Sequence, residues 1–413
     1  MTVKDKVLDI LKKNQGNPIS GEFMAEEIGA SRAGVWKAIN ALRESGYRIS
    51  ASTNRGYILQ KSDVLSSSAV LAELAAPAFE SAPAGNVGVQ GAQGEPALHA
   101  AQVEQDNSGA HGGSSYPTAP AFESVPAEKT VGVQGAQFRL APYAQRLHVL
   151  NTVDSTNEEL KRLVISGIPA GTTVLADEQT AGKGRLGRGF HSPKSAGIYL
   201  SYLMKPRCDL SKALLITAGA AVACARAIRF VTGVAPGIKW VNDIYMSTSG
   251  KYEYKKVAGI LTEAITDFES GQIDSVIIGI GINCSGAPDN FPADIRNSAG
   301  SIEHIAEKSF DRNLLAAVMI RELDDITNLD FDSDIIRKEL ISEYKEYSVV
   351  IDRDIFIYKR PYGGRGPGLD DEGNTIPGIP AHVSDITDDG GLQVEYSNGS
   401  TEVFTTSEIT LRI

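Results

Sequence analysis

An α+β protein of several domains is what this sequence predicts, and three observations carry the prediction. Residues 1 to 60 space their apolar side chains at helical intervals and then switch to two short strand-like runs. From about Ala75 to Gln137 large aliphatic side chains almost disappear. From Leu147 to about Glu346 strands and amphipathic helices alternate, after which only short strands remain. A chain of 413 residues is long enough for two or three domains with substantial cores. Boundaries are expected at 1–62, 63–143, 144–346 and 347–413, the second being a linker with a short helix and a disordered insert.

The first element is a helix over residues 3–13, with Val3, Val7, Ile10 and Leu11 on one face. A second short helix follows Ser20, with Phe23, Met24 and Ile28 as its apolar residues; Gly29-Ala30 turns the chain. Ser31 is the candidate N-cap of a third helix, Arg32 to Glu44, whose Val35, Ile39 and Leu42 recur at i, i+4 and i+7. That spacing turns Ala33, Lys37 and Asn40 outward, flanked by Arg32, Trp36 and Arg43. Two strand-like segments, Tyr47–Ala51 and Gly56–Gln60, are joined by a tight turn with Arg55 at its tip. Three helices and a hairpin wing make a winged helix-turn-helix. Such a module inserts its third helix into a major groove, so Ser31, Arg32, Ala33, Lys37, Asn40 and Arg55 are the candidate DNA contacts, with Lys37 and Asn40 reaching base edges. The other use of the fold is protein contact alone; the basic, polar outward face favours DNA.

The stretch 75–137 holds nine Gly and six Pro with a single Lys and no Arg, too little apolar surface to offset the entropy of ordering. It also repeats itself. Ala-Pro-Ala-Phe-Glu-Ser recurs at 76–81 and 119–124, and Val-Gly-Val-Gln-Gly-Ala-Gln at 87–93 and 131–137, which reads as a duplicated flexible insert. In the last segment Ser348–Asp352, Asp354–Tyr358, Ala381–Ser384, Gly391–Tyr396 and Thr401–Phe404 are strand-like. Asp-Gly and Asn-Gly turns between them suggest a small β-barrel, interrupted at 359–380, where ten of 22 residues are Gly or Pro.

The net charge of −11 argues against polyanion binding by the whole molecule. Residues 1–61 nevertheless carry ten Lys and Arg against six Asp and Glu, which confines a nucleic-acid contact to the N-terminus. Three cysteines without a C-x-x-C pair disfavour a disulfide framework and a structural zinc site, and fit a reducing compartment. The N-terminus mixes charges, and the longest apolar run, Ala213–Ala225, is short for a bilayer and ends at Arg226. A cytoplasmic protein without membrane attachment is expected.

Chemistry concentrates at Gln179-Thr-Ala-Gly-Lys-Gly-Arg-Leu-Gly-Arg188, where Gly182, Gly184 and Gly187 interleave with Lys183, Arg185 and Arg188. Glycines let backbone N–H groups approach a ligand closely, and guanidinium groups grip phosphate through charge-assisted bonds, so the loop is suited to an anion. A solvated basic turn is the plainer reading. The glycines satisfy G-x-G-x-x-G, yet a strand, Gly197–Met204, follows where a dinucleotide motif needs a helix; Arg188-Gly189 excludes a P-loop. Three further patches stand out. Asp154-Ser-Thr-Asn157 offers hydroxyls and an amide at a helix start, although Ser155 with Glu158 also spells a capping box. Lys239-Trp-Val-Asn-Asp243 places an amide and a carboxylate in a strand-like run, and Lys255-Lys-Val-Ala-Gly259 sets two cations before a strand containing glycine, a sign of close ligand approach. The apolar run Val276–Asn283 ends in Gly-Ile-Asn.

In this order, Asp154-Ser-Thr-Asn157, Gln179 with its loop, Lys239-Trp-x-Asn-Asp243, Lys256-Val-Ala-Gly-Ile-Leu and Gly279-x-Gly-Ile-Asn283 resemble the biotin protein ligases. With Ser31-Arg-Ala-Gly-Val-Trp-Lys37 in front, the chain is similar to the bifunctional type that also represses the biotin operon. The resemblance covers roughly 1–74 and 144–413. It implies a class II synthetase-like mixed sheet flanked by helices and a C-terminal SH3-like barrel. It implies two reactions: biotin and ATP give biotinyl-5′-adenylate and pyrophosphate, then a lysine of a biotin carboxyl carrier protein attacks the anhydride. Ser155, Thr156, Asn157, Gln179, Lys183, Gly184, Arg185 and Lys256 would then hold biotin, with Arg185 and Lys256 catalytic. Gly182, Arg188 and Asn283 would hold the nucleotide, and Asp243 would meet Mg2+. A homodimer on operator DNA is implied as well. Lys183 stands where the family often has arginine, and Val241 where it often has proline. A non-catalytic ligand-sensing regulator and a lipoate ligase are the alternatives.

Overall fold

The computed structural model describes residues 2–44, 46–52, 56–60, 64–76, 142–206, 208, 210–247, 254–266, 273–359, 377–405 and 409–412. Met1–Leu74 and Leu140–Ile413 form one compact unit. The duplicated insert, Arg55 at the wing tip and most of the 359–380 interruption lie outside the described residues.

Helices α1 (Val3–Lys13), α2 (Gly21–Ile28) and α3 (Arg32–Glu44) precede a hairpin of β1 (Ile49–Ser52) and β2 (Gly56–Leu59), paired Ile49 to Leu59. The caps explain the helix starts. Thr2 and Asp5 close a capping box on α1, the Ser20 hydroxyl accepts from Phe23 N at 3.0 Å, and the Ser31 hydroxyl accepts from Gly34 N at 3.1 Å. Val7, Leu8, Leu11, Met24, Val35, Ala38, Ile39 and Leu42 fill the core. Val3 and Phe23 are exposed, and Leu8 and Ala25 are buried in this core. The wing is tied back by Ile19, which exchanges two backbone hydrogen bonds with Tyr57 at 2.8 and 2.9 Å. Gly56 is obligatory there: its φ is +95°, and a Cβ would sit 2.1 Å from the Ile19 carbonyl oxygen.

Helix α4 (Ser67–Leu74) packs against α8 (Arg312–Thr327) of the central domain. Asn313 clamps the preceding segment, accepting from Ser66 N at 3.1 Å and donating to the Val64 carbonyl at 3.2 Å.

The central domain is a seven-stranded sheet of β3 (Leu147–Leu150), β4 (Thr173–Ala176), β5 (Gly197–Met204), β6 (Gly237–Lys239), β7 (Asp243–Ser247), β8 (Tyr254–Thr266) and β9 (Ile273–Asn283). Their order is β3-β4-β5-β9-β8-β7-β6; only β3 and β4 are parallel, so the sheet is mixed as expected. Helix α5 (Thr156–Val164) lays Leu160, fully buried, on Val174, Leu203 and Ile277. Burial of one such leucine contributes roughly 1.5–3 kcal/mol. On the sheet lie α6 (Ala213–Thr232), α8 and α9 (Asp334–Tyr347), with the short α7 (Ile302–Ala306) before α8.

Helix α6 runs seven residues beyond the apolar stretch seen in the sequence, because Arg226 is accommodated within it by Glu322 and Glu343. It is long and apolar enough to cross a membrane by composition, but 78% of that window is buried inside the fold, so it is a core helix. The buried Arg312 of α8 reaches Asp177 at 2.9 Å and the Gly197 carbonyl at 2.8 Å, fastening the end of β4 to the start of β5.

At the C-terminal end β10 (Asp354–Lys359), β11 (Ile379–Ile386), β12 (Leu392–Glu395), β13 (Thr401–Phe404) and β14 (Ile409–Arg412) form an antiparallel sheet, ordered β13-β12-β11-β10-β14. The Asp-Gly and Asn-Gly turns are present, with Gly390 at φ +83° and Gly399 at +77°. Two expectations change. Edge strands β13 and β14 do not pair with each other among the described residues, so the strands make an open sheet in place of a closed barrel. Ser348–Asp352 is also no strand: Ser348 makes a single bridge to Ile238, and Asp352 turns the chain with φ +56°. The sheet is docked by Trp240, whose indole N–H donates to the Gly390 carbonyl at 2.8 Å, and by Lys345 against Asp385 at 2.7 Å.

Candidate active site

One cleft of about 450 Å3 gathers Ser155, Thr156, Asn157, Gln179, Lys183, Gly184, Arg185 and Lys256, the complete set of candidate biotin contacts. They arrive from α5, from the segment after β4 and from β8; β9 lies beneath them.

The glycine-rich segment is an ordered hairpin. Phe190 N donates to Gly182 O at 2.8 Å and Gly184 N to Arg188 O at 2.7 Å, and Arg185–Gly187 form a 3-10 turn. Gly187 needs its glycine, with φ +73°. Gly182 needs it for space, since a Cβ would come within 2.6 Å of both Phe190 O and the Ser192 hydroxyl. The three cations diverge. Lys183 binds Glu158 at 2.7 Å, Arg185 turns inward onto the Asn242 carboxamide, and Arg188 is exposed. Burial lowers the Arg185 pKa, while nearby Asp243 pulls it upward.

The helix start departs from the capping box spelled by Ser155 and Glu158. Ser155 makes no side-chain cap bond and lines the cleft, and Glu158 instead takes Lys161 at 2.9 Å and Lys183 at 2.7 Å. The Lys183 and Lys161 hydrogen bonds hold the Glu158 pKa below the usual carboxylate value.

Asp154 forms the outer brace. It accepts from Arg162 at 2.7 and 2.9 Å and from Ser155 N at 2.7 Å, and its pKa falls to about 2. A depressed carboxylate stabilises the fold above its ordinary value of 3.8, and that contribution is lost as the pH falls through about 2. The melting-temperature deficit of Arg162→Ala is therefore expected to shrink across this window; a deficit constant from pH 5 to pH 2 contradicts the brace.

The floor is a row of polar atoms whose orientations can be worked out from its ends. The Phe190 carbonyl can only accept, so Ser192 donates to it at 3.0 Å and accepts from Gln179 Nε2 at 2.9 Å. Gln179 Oε1 is thereby turned to Thr156, taking its N–H at 2.8 Å and lying 3.1 Å from its hydroxyl. At the other end Asn157 Nδ2 donates to Glu263 at 2.7 Å, which turns its Oδ1 to Ser201. Ser201 Oγ lies 2.8 Å from Thr156 Oγ1. Three oxygen–oxygen contacts thus share the two protons of Thr156 and Ser201. The floor is rich in acceptors and short of donors.

Sequence reasoning missed what the glycines of the strands are for. A Cβ on Gly279 would lie 2.2 Å from the Asn157 amide, and one on Gly281 would lie 2.4 Å from the Phe190 ring. These glycines seat side chains that line the cleft. Phe190, edge-on to Tyr199 with centroids 6.5 Å apart, also faces Gly259. Asn242, singled out in the sequence as an amide in a strand-like run, received no role there. Lys239–Asp243 is a hairpin turn between β6 and β7, so its amide projects to the cleft, donating to Ile260 O at 2.9 Å while Oδ1 receives Arg185.

Asp243 pairs with Lys256 at 2.6 Å. The pair is ionic only, since the buried Asp243 Oδ1 makes no hydrogen bond, and among the described residues no group of three His, Cys, Asp or Glu side chains is placed to hold a metal. The arrangement does not fit the metal role expected of Asp243. Asn283 lies away from this cleft, in a second hollow of about 680 Å3 with His191, Lys194, Tyr199 and Phe291. Gly182 and Arg188 line neither.

On the N-terminal module Ala33 and Lys37 are exposed and Asn40 is half-buried, taking a 3.4 Å bond from Arg43. Ser31 is spent on the cap and Arg32 pairs with Glu22 of α2. Trp36, 55% exposed, lies on the same helix.

Comparison with known proteins places both halves. Residues 149–283 match the biotin/lipoate A/B protein ligase family, and residues 4–58 match a helix-turn-helix domain. The chain is 28% identical over 314 residues, 75% of its own length and 74% of the relative's, to the bifunctional ligase/repressor BirA of Bacillus subtilis. It is 30% identical to the Salmonella typhimurium protein of the same name, over 54% of this chain and 67% of that one. In structure it resembles the Aquifex aeolicus biotin protein ligase in complex with biotin and ATP, with a TM-score of 0.50 and 25% identity, covering 65% of this chain and 99% of the other. A ligase-family match over residues 149–283, a helix-turn-helix match over residues 4–58 and the likeness to these bifunctional relatives agree, and the chain belongs to the biotin protein ligase family in its bifunctional ligase/repressor form.

Proposed function

We propose that this chain joins biotin to ATP in the Lys183–Lys256 cleft, transfers the biotinyl group to a lysine of a biotin carboxyl carrier protein, and represses transcription through residues 1–62. The observation that carries the reading is the acceptor-rich floor. A cyclic urea brings two N–H donors and one carbonyl, which suits a row of oxygens short of a proton whose Thr156, Asn157 and Gln179 members line the cleft above the buried Ser201; the dithiolane of lipoate brings no donor.

In the first step a biotin carboxylate oxygen attacks the α-phosphorus of ATP and pyrophosphate leaves. Lys256 and Arg185 stand at the mouth, where two anions must meet, and their charge offsets the repulsion. Both are held beforehand, Lys256 by Asp243 and Arg185 by Asn242, so each exchanges an internal partner for the ligand. Gly184 offers a backbone N–H once Arg188 O releases it. In the second step the carrier's lysine amine attacks the anhydride carbonyl and AMP leaves. The hollow with Asn283 is read as the adenine side, reached past Phe190 and Tyr199, with Gly182 and Arg188 framing the loop between. Magnesium would enter with the nucleotide phosphates in place of a protein cage.

On the DNA side, Lys37, Ala33 and Asn40 are the groove-facing set, Ser31 and Arg32 brace α3, and Arg55 serves the wing. Operator binding as a homodimer, a cytoplasmic location, the domain limits 1–62, 144–346 and 347–413, and SH3-like kinship of the C-terminal sheet belong to the same reading. Incubation with biotin, ATP and a carrier domain should biotinylate the carrier. Absence of both labelling and pyrophosphate release would leave a ligand sensor.

Arg185→Gly should release adenylate into solution. Without the guanidinium the intermediate's dissociation rate is expected to rise at least ~10-fold, the loss of about 1.4 kcal/mol of charge-assisted bonding. Retention equal to wild type in a filter-binding chase contradicts the role given to Arg185.

A further inference from the structure

We propose that Glu263 is a positioning residue for biotin recognition, setting which face of the Asn157 carboxamide the ligand meets; the proposal rests on the biotin reading of the cleft. Glu263 lies on β8 at the rim of the site and does not line the cleft itself.

The argument is one of donor and acceptor types. Asn157 sits flat on β9, over Gly279, between two neighbours: Ser201 on one side and Glu263 on the other. A hydroxyl donates or accepts with equal ease, so Ser201 tolerates either flip of the amide. An ionised carboxylate only accepts. With Glu263 Oε2 2.7 Å from Nδ2, the nitrogen is committed outward and Oδ1 is turned to Ser201 and the floor. Glu263 alone breaks the symmetry.

The carboxylate is itself held. Its second oxygen takes Lys161 Nζ at 2.7 Å, and the same ammonium reaches Glu158 at 2.9 Å, which in turn holds Lys183 of the loop at 2.7 Å. Gly279 allows no retreat, because the amide is already closer to its backbone than any Cβ would permit. The consequence is that the floor presents an oxygen to a ligand N–H at this position. Loss of Glu263 would remove this preference and let the amide present its NH2, pairing donor with donor.

The test is a double-mutant cycle read by calorimetry of biotin binding to the full chain, using wild type, Glu263→Ala, Asn157→Ala and the double variant, with Glu263→Gln as the conservative change. Wild type should bind biotin. Glu263→Ala and Asn157→Ala should each weaken binding by about 10-fold, and the double variant by little more than either, since residues acting through one contact are not additive. Glu263→Gln keeps an acceptor for Asn157 without the charge on Lys161, and should fall between wild type and Glu263→Ala. In steady-state ligation the Glu263→Ala effect should appear in KM for biotin with kcat changed less than twofold. A merely structural role would lower the melting temperature without this cycle. Additive losses, or Glu263→Ala binding like wild type, overturn the assignment of Glu263 while leaving the ligase reading in place. No binding of biotin by wild type overturns both.

Discussion

Replacing Lys256 by glutamine should lower the rate of biotin-dependent pyrophosphate exchange by about 100- to 1,000-fold, the effect of removing one preorganised charge from a site where negative charge gathers. Two losses combine. The cation that neutralises the carboxylate and phosphate oxygens is gone, and Asp243, now without its 2.6 Å partner, is left as an unpaired carboxylate beside the path of two anions. The variant should fold, because the Lys256 side chain is one-third exposed and its strand is held by a ladder from Ala258 to Thr266 with β9. Lys256→Gln, Asp243→Asn removes the stranded charge and should recover only part of the loss, whereas a lysine that merely paired Asp243 would be fully replaced. Exchange within tenfold of wild type in the single variant would remove Lys256 from the catalytic assignment.

Gly281→Ala should also be damaging, by a different route. The added methyl would lie 2.4, 2.6 and 2.9 Å from three carbons of the Phe190 ring, too close for van der Waals contact. The ring cannot yield alone. Its backbone N–H is bonded to Gly182 O, its carbonyl takes Ser192, and Ser192 orients Gln179, so displacement of Phe190 carries both the loop and one end of the floor with it. Biotin affinity should drop by at least ~10-fold, or about 1.4 kcal/mol, with the melting temperature falling by only a few degrees. A substitution two residues earlier, Gly279→Ala, would strike the Asn157 amide instead. If Gly281→Ala binds biotin as tightly as wild type, the Phe190 ring does not organise the cleft.

These glycines also show where sequence reasoning stops. The strand Val276–Asn283 was legible as an apolar run, and a glycine inside such a run signals close approach, but the sequence does not say what approaches. The answer is side chains from α5 and the loop, brought there by parallel and antiparallel pairings that no local pattern encodes. Helix α3 was legible because Val35, Ile39 and Leu42 repeat with the helical period and Ser31 caps the start. Phe23 and Val3 show that apolar identity alone does not imply burial, because one face of a short helix has room for only two or three residues. The candidate biotin residues came together in one cleft, and Asn242, whose amide stood out in the sequence without a role, joins them. Lys239–Tyr245 has the composition of a single strand, and its turn is formed by tertiary contacts, Trp240 to Gly390 and Val241 to Tyr344. Ser155 and Glu158 misled for a related reason: Lys161 and Lys183 compete for the carboxylate that a capping box needs.

The most direct test of the central claim is native mass spectrometry of the full chain after incubation with biotin, ATP and Mg2+, followed by removal of free ligand. The account predicts a complex heavier than the free chain by one biotinyl-5′-adenylate, abundant in wild type and depleted in Lys256→Gln. A spectrum showing only free protein, or nucleotide bound without any biotinyl adduct, would contradict it.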